Sequence, residues 1–347
     1  MRLTGALALS LLVLMAAVSC TSTRDTTGPT DRGFLEGLED VGATLEVWVT
    51  VIDALIPSMG HEDPLKREDA QRIFETICLN AARPDAKKQP RRPSDAETRR
   101  LTLCMTIGFR LAEPKTPEPA RVWMLRQLER IGRGEVVAMV ASLLNDARPR
   151  IRECARRCLE HNPDPAAGEA LRNTLARTVS PEWRVALINS LGARGEQASI
   201  NMLSEMVADE DPAVAAAAIA ALGDIGGIPA VETLAAARSS APAELRAAVT
   251  NAYLRCAQRL PDEGATERAA KVFDELYVPT ESRRIRIAAL SGLVCTRPEQ
   301  SLPLLLDLIT GDDESMRVVA ARLAEEIPGE SATRVLVDKL AAAPPAA

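Results

Sequence analysis

The sequence is poor in aromatic residues and in histidine. Aromatic side chains make up 3% of its 347 residues, and only two histidines occur. A hydrophobic core must therefore be filled by Ala, Leu, Val and Ile, which suits close packing between helices better than a sheet sandwich. The net charge of −6 has the wrong sign for a protein whose affinity depends on neutralising phosphates, so nucleic acid is not an expected partner.

The sequence also lacks an apolar run long enough to cross a bilayer, which takes roughly 20 residues. A shorter run from Ala6 to Val18 follows Arg2 and ends in "AVSC", which predicts a signal peptide at 1–19. The segment resembles a bacterial lipoprotein signal, whose cysteine is lipidated and becomes the new N-terminus. Cys20 occupies that place. Ala17 departs from the Leu that the pattern favours, so ordinary cleavage after Ser19 is an alternative.

The resemblance implies an exported protein of the bacterial cell envelope, attached to the membrane by a lipid anchor on Cys20 and facing the periplasm or the exterior. Residues 20–32 are polar and are expected to form a tether. Thr21 stands where this lipoprotein class often carries an Asp that marks retention at the inner membrane. The absence of Asp at this position favours the outer membrane.

An arginine recurs along the chain at intervals of 31 or 32 residues, with Ala215 filling one gap and a longer interval of 40 between Arg246 and Arg286. We call this the landmark position. Apolar or small residues lie one before, three after and seven after it, which places them on one face of a helix. The landmark arginines are Arg121, Arg152, Arg184, Arg246, Arg286 and Arg317.

A second apolar helix face follows each landmark by 19 to 23 residues, from Val140 to Leu340. Gly or Pro lies between the two helices of a unit. Two helices in about 31 residues, repeated seven times over 116–340, predict an all-α fold, an α-solenoid. Residues 33–115 lack the period and are expected to form a divergent N-terminal helical cap, and residues 341–347 are expected to form a disordered tail.

The stretch "AIAALGDIGGIPAVETL" at Ala218–Leu234 resembles the HEAT repeat, especially the short bacterial kind related to bilin lyases. The resemblance implies that the landmark arginines form a structural ladder of hydrogen bonds along the stack. It also implies that the second helices line a concave surface that binds a protein partner. Small side chains such as those of "AAAAIAAL" would let neighbouring helices approach closely.

Polar residues recur on the second helices, away from their apolar face. We call this set the acidic stripe and predict that it binds the partner, although it could equally be an ordinary solvated face. Its members are Glu169, Asn173, Asn201, Glu205, Glu232, Asp307, Arg334 and Asp338.

The 40-residue interval contains extra residues, which we place around Leu260–Glu267. This insertion is interpreted either as a tolerated surface loop or as a binding loop. A basic segment at Lys87–Pro93 could contact anionic lipid head groups, but it lies among prolines in an acidic chain and is interpreted as a solvated connector.

Cys154, Cys158 and His161 lie on one helical face and could hold a metal with a fourth ligand. In the repeat register, however, both cysteines occupy small core positions and His161 an exposed one, so no metal is predicted. The alternative is an accessory metal- or redox-associated subunit of an envelope enzyme that uses these three residues. Export would permit disulfides, and Cys78 with Cys104 or Cys256 with Cys295 are the pairs to test.

No enzymatic activity and no cofactor are predicted. HEAT-like hydroxylases hold a di-iron centre with several His-Glu pairs, whereas this chain has one such pair, His61 and Glu62. Bilin lyases share the short repeat but work inside the cell. The motifs GxSxG, HExxH and the phosphate-binding Gly loop do not occur. The sequence therefore predicts a scaffold whose partner it does not name.

Overall fold

A computed structural model describes residues 45–83 and 95–327, together with 329 and 337. These residues form helices joined by turns and contain no β-strand. The predicted signal peptide, Cys20 and the tether lie outside the described residues. So do the basic segment at Lys87–Pro93, Arg334, Asp338 and the tail at 341–347.

The chain divides into two compact units, with the boundary between Arg177 and Thr178. The boundary falls inside the segment that the period predicts as one solenoid. Helices on both sides of residue 115 belong to the first unit, so the predicted cap and the first repeats fold together.

The first unit contains seven helices among its described residues. A single 3-10 turn at Leu143–Asn145 follows the fifth. Helices α2 to α7 form three stacked hairpins, and α1 lies against the first of them. The helices are α1 (Leu45–Met59), α2 (Pro64–Ala82), α3 (Asp95–Ala112), α4 (Glu118–Ile131), α5 (Gly134–Ser142), α6 (Pro149–His161) and α7 (Pro165–Leu175).

The hairpin of α2 and α3 lies in the region predicted as a cap. The indole nitrogen of Trp123 in α4 donates to the carbonyl oxygen of Gln71 in α2 at 3.1 Å. Arg100 of α3, with a side chain 6% exposed, pairs with Glu135 of α5 and donates to the carbonyl oxygen of Ile131 at 2.9 Å. The cap therefore stacks on the next hairpin as a further repeat would, although its sequence lacks the period.

The second unit contains nine helices in its described part, in alternating first and second helices. The first helices are α8, α10, α12, α14 and α16, and the second are α9, α11, α13 and α15. Their bounds are α8 (Pro181–Ala193), α9 (Ile200–Met206), α10 (Pro212–Ile225), α11 (Ile228–Ser240), α12 (Ala243–Arg259), α13 (Thr266–Leu276), α14 (Arg283–Thr296), α15 (Pro298–Ile309) and α16 (Glu314–Glu325).

Proline and a capping acid define where the first helices begin. Pro149, Pro181 and Pro212 are the first residues of α6, α8 and α10, where the missing N–H of proline costs no helical hydrogen bond. The carboxylate of Asp211 accepts from the backbone N–H of Ala213 at 2.8 Å and satisfies an otherwise orphaned donor of α10. These three first helices therefore begin at a proline, three residues before the landmark position.

The apolar register of the repeats is confirmed by burial. Every residue three or seven positions after a landmark is buried, including Met124, Leu222 and Tyr253. The second-helix residues 19 positions after a landmark, from Val140 to Leu305, are fully buried as well. Four residues further on, Leu144 and Leu175 are buried and Val207 and Ile309 are half-buried. Arg238 is the one charged residue at this offset, and it is half-buried.

The Ala- and Gly-rich first helices of the second unit approach each other closely. A side-chain carbon added to Gly192 in α8 would lie 2.9 Å from the Cα of Ala221 in α10. One added to Gly223 would lie 2.9 Å from the Cα of Ala252 in α12. Helix backbones at this separation leave room only for hydrogen or a methyl group, so the alanine run is a packing feature, as the sequence predicts.

Candidate functional site

The described side chains of the acidic stripe are exposed. Glu205 in α9 and Glu232 in α11 carry no hydrogen bond or ion pair to any described residue. Their sequence neighbours Ser204 and Thr233 share a hydrogen bond of 2.8 Å between the two hydroxyls, which holds α9 and α11 side by side. Two unpaired carboxylates therefore lie on adjacent second helices of the second unit.

The stripe is not uniform along the second unit. In α13 the exposed acids Glu267 and Asp274 both pair with Arg297, at 2.6 and 3.2 Å. Asp307 in α15 is exposed again and unpaired in the described part of the chain. The unpaired negative charge is therefore interrupted at α13.

The remaining members of the stripe lie in the first unit, in α9 of the second unit, and outside the described residues. Glu169 and Asn173 are exposed on α7 of the first unit. Asn201 is exposed on α9 of the second. Arg334 and Asp338 lie outside the described residues, so the prediction for them is untested.

The landmark arginines bond mainly within their own repeat. Four of the six donate to a carbonyl oxygen in the loop just before their own helix, where the end of the preceding helix leaves carbonyl acceptors open. These bonds are Arg121 to Thr116 (3.1 Å), Arg152 to Asp146 (3.1 Å), Arg246 to Ala241 (3.4 Å) and Arg317 to Gly311 (3.2 Å).

Two landmark arginines also reach an aspartate 25 residues later in the chain, at the end of the same repeat. Arg184 pairs with Asp209 at 2.5 Å, and Arg121 lies 4.0 Å from Asp146. Arg286 makes neither bond and instead lies over the ring of Tyr277 at 5.8 Å. Five of the six landmark arginines thus tie their first helix to a loop that flanks the same repeat.

These ion pairs lower the pKa of the aspartates. A hydrogen bond from Arg184 holds the pKa of Asp209 below its ordinary value. A side-chain hydrogen bond from Arg148 lowers the pKa of Asp146 to about 2, and the charge of Arg121 acts in the same direction. Both carboxylates are therefore ionised at neutral pH, as the pairing requires.

Cys154, Cys158 and His161, the alternative metal site considered from the sequence, are not arranged like the ligands of one metal ion. Cys158 is fully buried, whereas His161 is exposed and bonds the carbonyl oxygen of Arg157 at 3.0 Å. Within 45–83 and 95–327, no group of three or more His, Cys, Asp or Glu side chains could hold a metal ion. The core role inferred for Cys158 from the register agrees with its burial.

All six described cysteines are free. Burial raises the pKa of the Cys104 thiol to about 12, and it raises the pKa values of Cys78, Cys158 and Cys256 as well. Cys78 and Cys104 are both buried, on the adjacent helices α2 and α3, while Cys295 is exposed on α14. The buried thiols are protonated at neutral pH and fill the core.

The extra residues of the long interval are not confined to Leu260–Glu267, contrary to the sequence interpretation. Helix α12 has 17 residues where α10 has 14, because it continues for an extra turn. The loop between α12 and α13 spans 260–265 and folds into compact turns. A second long loop, 277–282, separates α13 from α14, where only 241–242 separate α11 from α12. We call residues 243–282, which comprise α12, the loop 260–265, α13 and the loop 277–282, the long repeat.

A family model for HEAT repeats matches residues 168–253. The matched segment includes the close helix contacts at Gly192 and Gly223 and the period of the landmark position. The chain contains HEAT repeats. The matched segment ends inside α12, the first helix of the long repeat, where the spacing of the HEAT repeats changes. None of the helices in the described residues is both long and apolar enough to cross a membrane.

Solved structures with low sequence identity resemble the HEAT repeats of this chain. An engineered protein matches with TM-score 0.37 and 16% identity over 94% of this chain and 92% of its own. The complex of CpcE and CpcF of phycocyanin lyase from Nostoc sp. PCC7120 matches with TM-score 0.35 and 16% identity, over 80% and 94%. Human deoxyhypusine hydroxylase matches with TM-score 0.28 and 16% identity, over 83% and 98%. At these scores the likenesses carry no argument about function. No curated protein matches the chain.

Sequence reasoning missed a group of polar residues around the long repeat. Arg238 in α11 pairs with Glu281 of the loop 277–282 at 2.7 Å and lies over the ring of Tyr253 at 5.3 Å. Two signals could have found this group. Arg238 is the one charged residue at an otherwise apolar register position, and it comes just before the one interval that breaks the period of the HEAT repeats.

Proposed function

We propose that the protein is a non-catalytic scaffold of the bacterial cell envelope, anchored through lipid on Cys20, which binds a protein partner through the acidic stripe. The HEAT fold supports an interaction role at the level of fold. The outer membrane is the proposed location, and a partner of unknown identity with a basic or hydrogen-bond-donating surface is the proposed ligand.

One observation carries the proposed binding surface. Glu205 and Glu232 lie exposed on adjacent second helices without any described partner, in a chain whose other exposed acids often bond arginines. An unpaired carboxylate retains its full hydrogen-bonding capacity for a ligand, and complementary charge on a partner would speed association and fix its orientation. The rigid pairing of α9 with α11 holds the two acids in place before a partner arrives.

The absence of catalysis is proposed from the chemistry of the nucleophiles. A catalytic cysteine needs a lowered pKa and access to substrate. Burial raises the pKa of Cys104, Cys158 and Cys256 and removes their sulfurs from solvent.

The acidic stripe is tested by charge reversal with a matched control. We expect the triple variant Glu205→Lys, Glu232→Lys and Asp307→Lys to lose a partner that the wild type captures from membrane extracts, as read by mass spectrometry. The control carries Glu210→Lys, Asp262→Lys and Asp312→Lys, three exposed acids in loops of the same unit, with the same change in net charge. Equal capture by wild type and both variants would contradict the proposal.

The anchor is tested separately. We expect the wild type to fractionate with membranes and to incorporate labelled fatty acid, and Cys20→Ser to be released into the soluble fraction without label. A wild-type protein that is soluble, unlabelled and begins at Cys20 would instead support ordinary signal-peptide cleavage after Ser19 and would overturn the lipid anchor.

A further inference from the structure

The long repeat and the helices on either side of it line an open cavity of about 670 Å³ within the second unit. The cavity lies between the N-terminal halves of α12 and α14, with the end of α11 and the loop 277–282 as further walls. Binding sites for small molecules have volumes of about 300 to 1,000 Å³. The loop that lengthens this repeat is therefore also the loop that helps to form a cavity of ligand size.

The wall formed by the loop is fixed by interactions that satisfy its own charges. Glu281 bonds Arg238 at 2.7 Å, which ties the loop to α11. Glu275 accepts a hydrogen bond from the hydroxyl of Tyr253 at 2.8 Å. Both carboxylates at the cavity are thus engaged, and the ring of Tyr253 is held beneath the guanidinium of Arg238.

Two arginines at the cavity lack an acidic partner among the described residues. Arg246 is a landmark arginine, and its equivalent Arg184 pairs with Asp209 at the end of its own repeat. In the long repeat, Glu281 of the loop 277–282 pairs with Arg238 rather than with the landmark Arg246. Arg246 donates only to the carbonyl oxygen of Ala241 and is left exposed at the cavity wall.

Arg284 is the second uncommitted cation. It lies in the first turn of α14, is exposed, and makes no hydrogen bond or ion pair with the described part of the chain. Arg284 and Asn251 also line a neighbouring cavity of about 480 Å³, whose other walls include Ala220 and Ala248. The two cavities therefore share a guanidinium and an amide, and the second cavity also has Arg255 and Gln258 in its wall.

We propose that the cavity of the long repeat binds a small molecule that carries a carboxylate or phosphate group, held between Arg246 and Arg284. Guanidinium groups bind both oxyanions through paired N–H donors, and two of them without a carboxylate leave donors to be satisfied. Asn251, Thr250 and Ser282 add polar groups at the same wall. The proposal goes beyond partner binding and does not depend on the acidic stripe.

The test measures binding of two radiolabelled probes, citrate and inorganic pyrophosphate, to the full chain by equilibrium dialysis. We expect at least one probe to bind with one site per chain. Arg246→Gln and Arg284→Gln should each weaken that binding by at least about tenfold, because each removes a guanidinium that donates charge-assisted hydrogen bonds to the oxyanion. Binding of citrate alone would identify a carboxylate ligand, and binding of pyrophosphate alone a phosphate ligand.

Arg283→Gln is the matched control, because Arg283 is exposed and adjacent in sequence to Arg284 but does not line the cavity. It should bind the probe within about twofold of the wild type. Unchanged unfolding midpoints for all three variants would exclude loss of fold. If neither probe binds, or if Arg283→Gln weakens binding as much as the other two variants, the proposal is overturned.

Discussion

The regular repeat of α10 and α11 packs its helices closely through small residues, whereas the long repeat that follows it adds loops and polar contacts. Helix α10 presents Ala and Gly to its neighbours, and a turn of Gly226 and Gly227, both with positive φ, leads directly into α11. The long repeat has a longer first helix, two extended loops and a group of bonded charges at a cavity. Both repeats have fully buried apolar faces, so the difference lies in what is added to a common core.

The comparison shows where a repeat protein can accommodate polar side chains. In a regular repeat every helix faces close neighbours, and a polar side chain at such a contact would be buried without a partner at a cost in stability. An added loop separates two first helices locally and gives polar side chains both space and partners. The landmark arginine of the repeat of α8 and α9, Arg184, pairs with Asp209. The landmark arginine of the long repeat, Arg246, has no acidic partner among the described residues.

The largest expected effect tests whether the long repeat is packed as firmly as the regular one. Phe273 of α13 is buried and lies against Gly292 of α14, where an added side-chain carbon would be 2.5 Å from its ring. We expect Phe273→Ala to lower the free energy of unfolding by about 3 to 5 kcal/mol, because it leaves a cavity in the core. Denaturant unfolding measures this. A loss below about 1 kcal/mol would show that the long repeat is a loosely attached insertion.

A smaller effect tests the close approach of the regular first helices. Ala221→Val adds two methyl groups where Ala221 meets Gly192, and we expect a loss of about 1 to 3 kcal/mol from overpacking. Ala213→Val is the matched control on the same helix, since Ala213 is exposed, and it should change stability by less than about 0.5 kcal/mol. Equal losses in the two variants would refute the close contact.

The smallest effect concerns the loop acids of the regular repeats and depends on pH. The pKa of Asp146 is lowered to about 2 by its arginine partners, so its ion pairs stabilise the fold fully above its unfolded pKa of about 4. That contribution is lost as the pH falls from about 4 to about 2. We expect the stability advantage of wild type over Asp146→Asn, measured by urea unfolding, to shrink across that window.

The control for this pH dependence is Asp262→Asn in the long repeat. Asp262 is exposed, and its carboxylate bonds no side chain in the described residues. Its substitution should change the free energy of unfolding by less than about 0.5 kcal/mol at each pH, because no side-chain contact is lost. An Asp146→Asn difference that is equally flat would contradict the role assigned to the ion pair.

Much of the fold was predictable because helix periodicity reports burial directly. The positions three and seven residues after each landmark define a single helix face, and Leu128, Leu191 and Leu222 are buried there as expected. Proline marks helix starts at Pro149, Pro181 and Pro212, since it fits only the first turn. The exposure of Glu205 and Glu232 also follows from the register.

The course of the long repeat was not predictable from spacing alone. An interval of 40 residues gives the number of added residues but not their place, because a helix can gain a turn while loops gain the rest. The pairing of Arg238 with Glu281 crosses 43 residues and depends on where the loop 277–282 folds. In the same way, α2 and α3 stack like a repeat through Trp123 and Arg100, contacts that leave no period in the sequence.

The most direct test places a photo-reactive amino acid at Asn201, on the acidic stripe in α9, or at Asp262, in a loop of the long repeat. Both positions are exposed in the same unit. The account predicts that irradiation of living cells links position 201 to one envelope protein in high yield and leaves position 262 without that product. Crosslinks to the same protein from position 262 alone, or from neither position, would contradict the proposal that the acidic stripe binds the partner.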